Sequence, residues 1–393
     1  MASESAPLEA RFLSSITQIT PAQWNQLSGT DYPFIRHEFL LALEQSGSTD
    51  KKSGWQPCHL TLYRDNTLVA LMPLYIKSHS YGEYVFDWSW ADAWRQHGLD
   101  YYPKLVTAIP FTPATGPRIC TAPQEHRADL LAAIFRAIKQ FASQQQLSSW
   151  HVLFPEQADA LELAELGSSL RLASQFHWFN RDYTDFDDFL SRFNSRKRKA
   201  LRRERRRVSE QGIELQRREG GEISAQDWQD FYRFYQRTYA KRSGHGGYLT
   251  REFFQLIGEL LPEQCVMIMA YLDGKAVAGS LCFRSSTTLY GRYWGCDREL
   301  DCLHFEACYY QGIDYCIEKG LQRFDPGAQG EHKIQRGFEP IPTWSNHWIA
   351  DPQFAKAIAD FTRREVPHIE HYIDQASAYL PFKKNNPSAD SVE

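Results

Sequence analysis

HLTLYRDNTLVALMPLYIKS (59–78) and VMIMAYLDGKAVAGSLCFRS (266–285) read as two copies of one element. In each, apolar runs flank a two-residue polar turn, Asp65-Asn66 in the first and Asp273-Gly274 in the second, which is the pattern of a tight β-hairpin. The wording is shared as well: DNTLVALMPL starts at Asp65 and DGKAVAGSL at Asp273. Reading outward from the first hairpin, the periodicity predicts a helix at 33–47, a third strand at 83–90, a helix at 127–146 and a strand at 150–154. Around the second it predicts helices at 225–239 and 250–261, a strand at 288–295, a helix at 303–319 and a strand at 321–325. Helix, three antiparallel strands, helix, strand therefore occurs twice, and the fold class expected is α/β (α+β), one module used in tandem.

At 393 residues the chain has room for two such domains. The expected division is a first module at 12–185, an acidic and basic linking helical segment at 186–220, a second module at 221–382 holding the active cleft, and a disordered tail at 383–393. No apolar run approaches the roughly 20 residues of a membrane-crossing helix, and the first residues lack a secretory pattern, so a cytoplasmic protein is expected. The eight cysteines form no C-x-x-C pair, which argues for small core residues rather than structural zinc, and no metal site is expected.

Charge is unevenly placed. The formal net charge is -4, yet 191–218 alone holds twelve Lys/Arg against three Glu. Residues 194–212 carry good helix formers without Pro or internal Gly, so a helix ending at Gly212 is expected, with only Leu190, Phe193, Leu201 and Val208 for an apolar stripe. Its arginines, Arg202 and Arg203 among them, suit phosphate oxygens of a nucleotide or an RNA backbone. The plainer reading is a solvated helix neutralised by acidic neighbours such as Asp185, Asp187 and Asp188.

The module order, with V-A-G-x-L at 277–281, resembles the GNAT acyltransferase fold. Two modules with SRKRKALRRERRRV leading into the second resemble the Fem-type transferases, and within them the FemAB-like predicted N-acyltransferases of Gram-negative bacteria. The stretches that carry the likeness are FDWSWADAWRQHGLDYYPKL (86–105), PFTPATGPRI (110–119), GGYLTREFF (246–254), LHFEACYYQGIDYCIEKGL (303–321) and RFDPGAQGEHKIQRGFEP (323–340). The resemblance implies transfer of an acyl or aminoacyl group to an amine, with a cell-wall precursor as one candidate acceptor. Its donors are aminoacyl-tRNA or acyl-CoA, and no cofactor is firmly implied. CoA-using members carry Q/R-x-x-G-x-G/A after the fourth strand, where backbone N–H groups cradle a pyrophosphate. Here that place reads GCDRELDCLHFE (295–306), without those glycines. A rival from another class is a non-catalytic RNA- or nucleotide-binding protein on the same fold.

Aminolysis needs a neutral amine and donors for the developing oxyanion. The loop that leaves the 321–325 strand, between Gly327 and Gly337, offers Glu331 or His332 to take the proton and Lys333 and Arg336 to hold a phosphate or the oxyanion; otherwise it is a polar loop with its charges paired. The start of the 303–319 helix offers His304 and Glu306, as acid or base groups or as helix-start residues bonded to backbone. In the first module Asp87, Trp88, Trp90 and Arg118 suit a sugar or peptide acceptor, against the alternative of an aromatic core ladder on a strand. Tyr248, in GGYL, is a further substrate-contact candidate.

Overall fold

The structure is a computed structural model that describes residues 6–328 and 330–383. The tail at 384–393 lies outside the described residues. Among the described residues fifteen strands form two sheets. In the first half they are β1 (Leu8–Leu13), β2 (Trp55–Pro57), β3 (His59–Arg64), β4 (Thr67–Met72), β5 (Tyr75–Lys77), β6 (Lys104–Thr107), β7 (Cys120–Thr121), β8 (Ser149–Leu153) and β9 (Ser169–Phe179). The second half supplies β10 (Ile213–Glu219), β11 (Cys265–Leu272), β12 (Lys275–Arg284), β13 (Thr288–Cys296), β14 (Arg323–Asp325) and β15 (Glu339–Ile349). A four-stranded sheet runs β1-β3-β4-β7, and an eleven-stranded sheet runs β10-β11-β12-β13-β14-β9-β15-β8-β6-β5-β2.

Both hairpins form where the sequence puts them. Asp65 and Asn66 have φ of 48° and 62°, and Asp273 and Gly274 have 52° and 71°, so each turn holds two consecutive left-handed residues between paired strand ends. That backbone matches the strand twist, and Asn, Asp and Gly adopt it at least cost. The first hairpin then bends from one sheet into the other, Pro57 and Pro73 standing at the breaks where a donor is not needed.

In each half a strand pair runs parallel: β6 with β8 and β13 with β14. The halves then exchange strands. β9 pairs with β14, β15 pairs with β8, and β9 and β15 pair with each other along nine residues of antiparallel ladder. One sheet thus runs through the molecule, and the two largest apolar clusters lie against it.

The basic segment is a helix, Ser195–Glu210, capped by the Asn194 side chain on Lys197 N at 3.0 Å. Leu201 and Val208 are its buried residues. The strand expected at 83–90 is absent: this stretch is a loop that enters the helix Trp88–Gln96. The reason is Lys104. This fully buried ammonium on β6 recruits Glu83 at 2.8 Å and Asp87 at 2.5 Å, and the chain wraps over it instead of adding to the sheet. The helix Leu303–Lys319 of the sequence reading has a π-helical middle, Glu306–Tyr310, between short α segments. No helix among the described residues is long and apolar enough to cross a membrane.

Candidate active site

The parallel ladder of β13 and β14 stops at the pair Tyr290↔Asp325, while β13 continues to Cys296. The sheet opens there. In the opening lies a cavity of about 560 Å³, walled by β13, the loop after β14, the π-helical turn, the end of the helix Ala225–Ser243, and Tyr84 and Phe111 from the first half. A β-bulge between Leu281 and Cys282 leaves Arg292 without a residue opposite it on β12.

The Arg292 side chain is buried and binds Asp325 through both terminal nitrogens, at 2.5 and 3.3 Å. Burial alone would raise the Asp325 pKa; Arg292 reverses this, helped by His177 and the Gly327 N–H, and holds the carboxyl below the usual range. His177, 3.5 Å from Asp325, is pushed down to about 4, chiefly by burial. This trio closes the floor. Gly327 turns the chain away from it at φ 91°, with the Gly291 carbonyl 3.2 Å from where a Cβ would stand.

The loop then forms a short 3-10 helix, Glu331–Arg336. Gly330 precedes it at φ 105°, and a Cβ there would meet the His332 ring at 2.5 Å, so only glycine lets the imidazole fold back over the chain. His332 Nε2 lies 2.9 Å from the Tyr309 hydroxyl. Lys333 is buried and donates to the Gly327 carbonyl at 2.6 Å. Burial, only partly offset by Asp325, lowers its pKa to about 8. His304 sits across the same cavity, its ring 6.4 Å from that of His332, and burial takes it to about 4. The His332 pKa is lowered too, by burial first and then by Arg336 and Lys333.

The structure therefore brings together His304, His332 and Lys333, and with them Tyr309. The other carboxylate and arginine candidates of this half face elsewhere. Glu331 is exposed and accepts from the Tyr372 hydroxyl at 2.8 Å, away from the cavity. Glu306 points at the basic helix, accepting from Arg205 at 3.0 Å. Arg336 fastens the loop from behind: it binds Glu204 at 2.9 Å, the His332 carbonyl at 2.8 Å and the face of Phe305 at 3.5 Å. Arg202 is exposed and paired with Asp187, and Arg203 is exposed. In each case the register of a helix or 3-10 turn sets the direction, and residue type alone does not reveal it.

In the first half, Asp87 is bound to Lys104 and accepts from the Tyr101 hydroxyl at 2.6 Å. Trp90 is buried, and Trp88 lies on the surface against Tyr81. Arg118 meets neither Asp87 nor Asp92. It is fully buried and donates to the carbonyls of Ala114, Gly116, Pro117 and Leu153, while Asp92 pairs with Arg95. Tyr248 stacks on Phe111, ring centroids 5.0 Å apart, behind the cavity wall. Arg292, Asp325, His177 and Tyr84 were not singled out from the sequence. Their signals were faint: a lone Arg in GRYWG, the Asp of FDPG, and two residues far upstream.

The turn from β13 to the next helix does not fit a pyrophosphate. Asp297, Glu299 and Asp301 occupy it, each already paired with a cation, and the α segment that follows is three residues long. No group of His, Cys, Asp and Glu among the described residues is arranged to hold a metal ion.

The family model described as FemAB-like, peptidoglycan biosynthesis/recognition, matches residues 15–384. The chain belongs to the FemAB-like family. Membership gives it a transferase of the acyl-transferring type, in peptidoglycan-related biosynthesis. Its fold is mixed α/β, with two modules that share one long sheet. Among solved structures, FemX shares 12% identity with a TM-score of 0.52, over 89% of this chain and 100% of that one. The C-terminal domain of a putative lysylphosphatidylglycerol synthetase from Agrobacterium fabrum shares 10% with a TM-score of 0.50, over 87% and 94%. A tandem GNAT protein from the clavulanic acid biosynthesis pathway shares 10% with a TM-score of 0.47, over 88% and 99%. A search of curated proteins found no match.

Proposed function

We propose that this FemAB-like protein moves an acyl group from an activated donor, an aminoacyl-tRNA or another acyl ester or thioester such as acyl-CoA, onto an amine of a peptide or small-molecule acceptor, with a cell-wall precursor as the acceptor favoured by its family. The observation that carries the proposal is the grouping of a buried Lys333 with the His332–Tyr309 pair in the opening between β13 and β14.

The acceptor amine attacks the carbonyl carbon, and a C–N bond forms. The oxygen that gains charge is met by the Lys333 ammonium, already held in a water-poor site by two main-chain carbonyls. The amine gives its proton to the Tyr309 oxygen as Tyr309 passes its own to His332 Nε2. When the C–O or C–S bond to the carrier breaks, the same proton returns through Tyr309 to the leaving oxygen or sulfur. An imidazole with a lowered pKa suits this use, because it is neutral and ready to accept at neutral pH. A cytoplasmic site of action follows if the donor is a tRNA or CoA ester.

The outer face of the basic helix supports a second component. Arg196, Lys199 and Arg203, spaced at helical intervals, are exposed, and among the described residues no carboxylate pairs with them. This face suits a phosphate backbone, and in the rival reading of a pure RNA- or nucleotide-binding protein it would be the whole function. The test is mass spectrometry of acceptor panels incubated with aminoacyl-tRNA or acyl-CoA, in the wild type, His332→Ala and Lys333→Ala. An N-acylated product that disappears in both variants is expected; product made equally well by both would remove the mechanism. Polyanion binding without any product would favour the rival.

A further inference from the structure

Every carboxylate near the cavity is turned away from it or already matched. Asp325 is bound by Arg292 and the Gly327 N–H. Glu306 faces Arg205, Glu331 faces Tyr372, and Glu204 is taken by Arg336 and the Tyr310 hydroxyl. Among the described residues that line the cavity there is no Asp or Glu at all. Cations, by contrast, are left over. Among the described residues Lys333 has only main-chain carbonyls as partners. Arg242 stands at the mouth, and the carboxylates beyond its helix end, Asp297 and Glu299, are held by Arg237 and Lys241. His304 and His332 are neutral at pH 7 and change nothing in this balance.

A group entering this space meets two positive charges, Lys333 buried in the wall and Arg242 exposed at the mouth, with no carboxylate among the described lining residues to offset them. We infer that the substrate group seated beside the reacting centre carries a carboxylate and no free ammonium, with Arg242 as its charge partner and the nearby Lys333 ammonium, which meets the oxyanion, adding to the positive field. The inference rests on the transferase reading of the cavity and narrows it. An aminoacyl donor with a free α-ammonium is disfavoured. A donor whose acyl chain ends in a carboxylate, or an amine acceptor that bears one, is favoured.

Two pairs of small probes separate those sources. Succinamate against β-alaninamide mimics the acyl side, with the amide in place of the activated ester; β-alanine against 1,3-diaminopropane mimics the acceptor side. Saturation-transfer NMR on the full chain should show one pair in which the carboxylate binds at least about ten-fold tighter than the amine. The pair that does so tells which substrate bears the acid. Arg242→Glu, a substitution at an exposed residue, should bring the ratio to one or below. Equal or tighter binding of both amines in the wild type would overturn the inference, and so would a preference untouched by Arg242→Glu and by Lys333→Gln. The readout needs no turnover. Absence of acyl transfer with the preference intact would remove only the transferase reading, and transfer without the preference would remove only this inference.

Discussion

The two parallel strand pairs are used oppositely. Beside the end of β8 lies the fully buried Arg118, whose guanidinium is spent on four main-chain carbonyls, that of Leu153 among them. Where β13 and β14 part, the space is left open, with Lys333 and His332 at its edge. Polar burial follows the same division. The first half buries a network of Lys104, Glu83, Asp87, Tyr101 and His151 with its members bonded to one another, and His347 on β15 joins it through His151. The second half leaves its buried lysine and its imidazole facing empty volume. A repeated module thus keeps one copy as scaffold and one as workplace, and the choice lies in whether side chains of the copy itself fill the gap.

Four substitutions or conditions can break or sharpen this contrast. The largest effect is expected on the scaffold side. Lys104→Met leaves Glu83 and Asp87 buried without their cation and should cost about 3–5 kcal/mol in denaturant-melt stability. A loss below about 1 kcal/mol would mean that the network holds nothing together. Next comes the workplace: Lys333→Ala should lower kcat by about 10²–10³-fold, near the cost of losing one oxyanion donor, with the melting transition kept. The third is a pH profile. Lys333 acts as its ammonium, and its pKa is lowered to about 8, so kcat/KM should fall as pH rises through about 8. Lys333→Arg should remove that limb. On the acid side His332, shifted below its usual value, should keep its base form through pH 6.5, and an acid limb well above that would contradict the assignment. The smallest effect belongs to Glu331→Ala, which removes one exposed hydrogen bond to Tyr372 and should change stability by no more than about 0.5 kcal/mol and turnover hardly at all.

Much of the fold was legible because it is written locally. Two-residue turns at Asp65-Asn66 and Asp273-Gly274 and the run of helix formers that follows Asn194 depend on a few neighbouring residues. The misread strand at 83–90 had the alternating aromatic pattern of a strand but is decided by Lys104, a partner some twenty positions on. The helix Pro352–Ala378 gave no clear signal because Pro367 interrupts its pattern, and the exchange of β9 and β15 has no local signature at all. The site shows the same limit. A loop leaving a strand next to a sheet opening drew attention to Glu331, His332 and Lys333, yet which of the three faces inward is set by the 3-10 turn, and the pairing of Arg292 with Asp325 spans 33 positions.

The strand exchange bears on how the chain is made. β8 emerges from the ribosome long before its partner; His151 finds His347 only 196 positions later. Until then the first half holds a bare sheet edge at β8 and a strand, β9, with no ladder partner, and both invite pairing with other nascent chains. A gene cut in the linker should accordingly yield two aggregating fragments that recover only when synthesised together, since neither contains all the strands its own core requires.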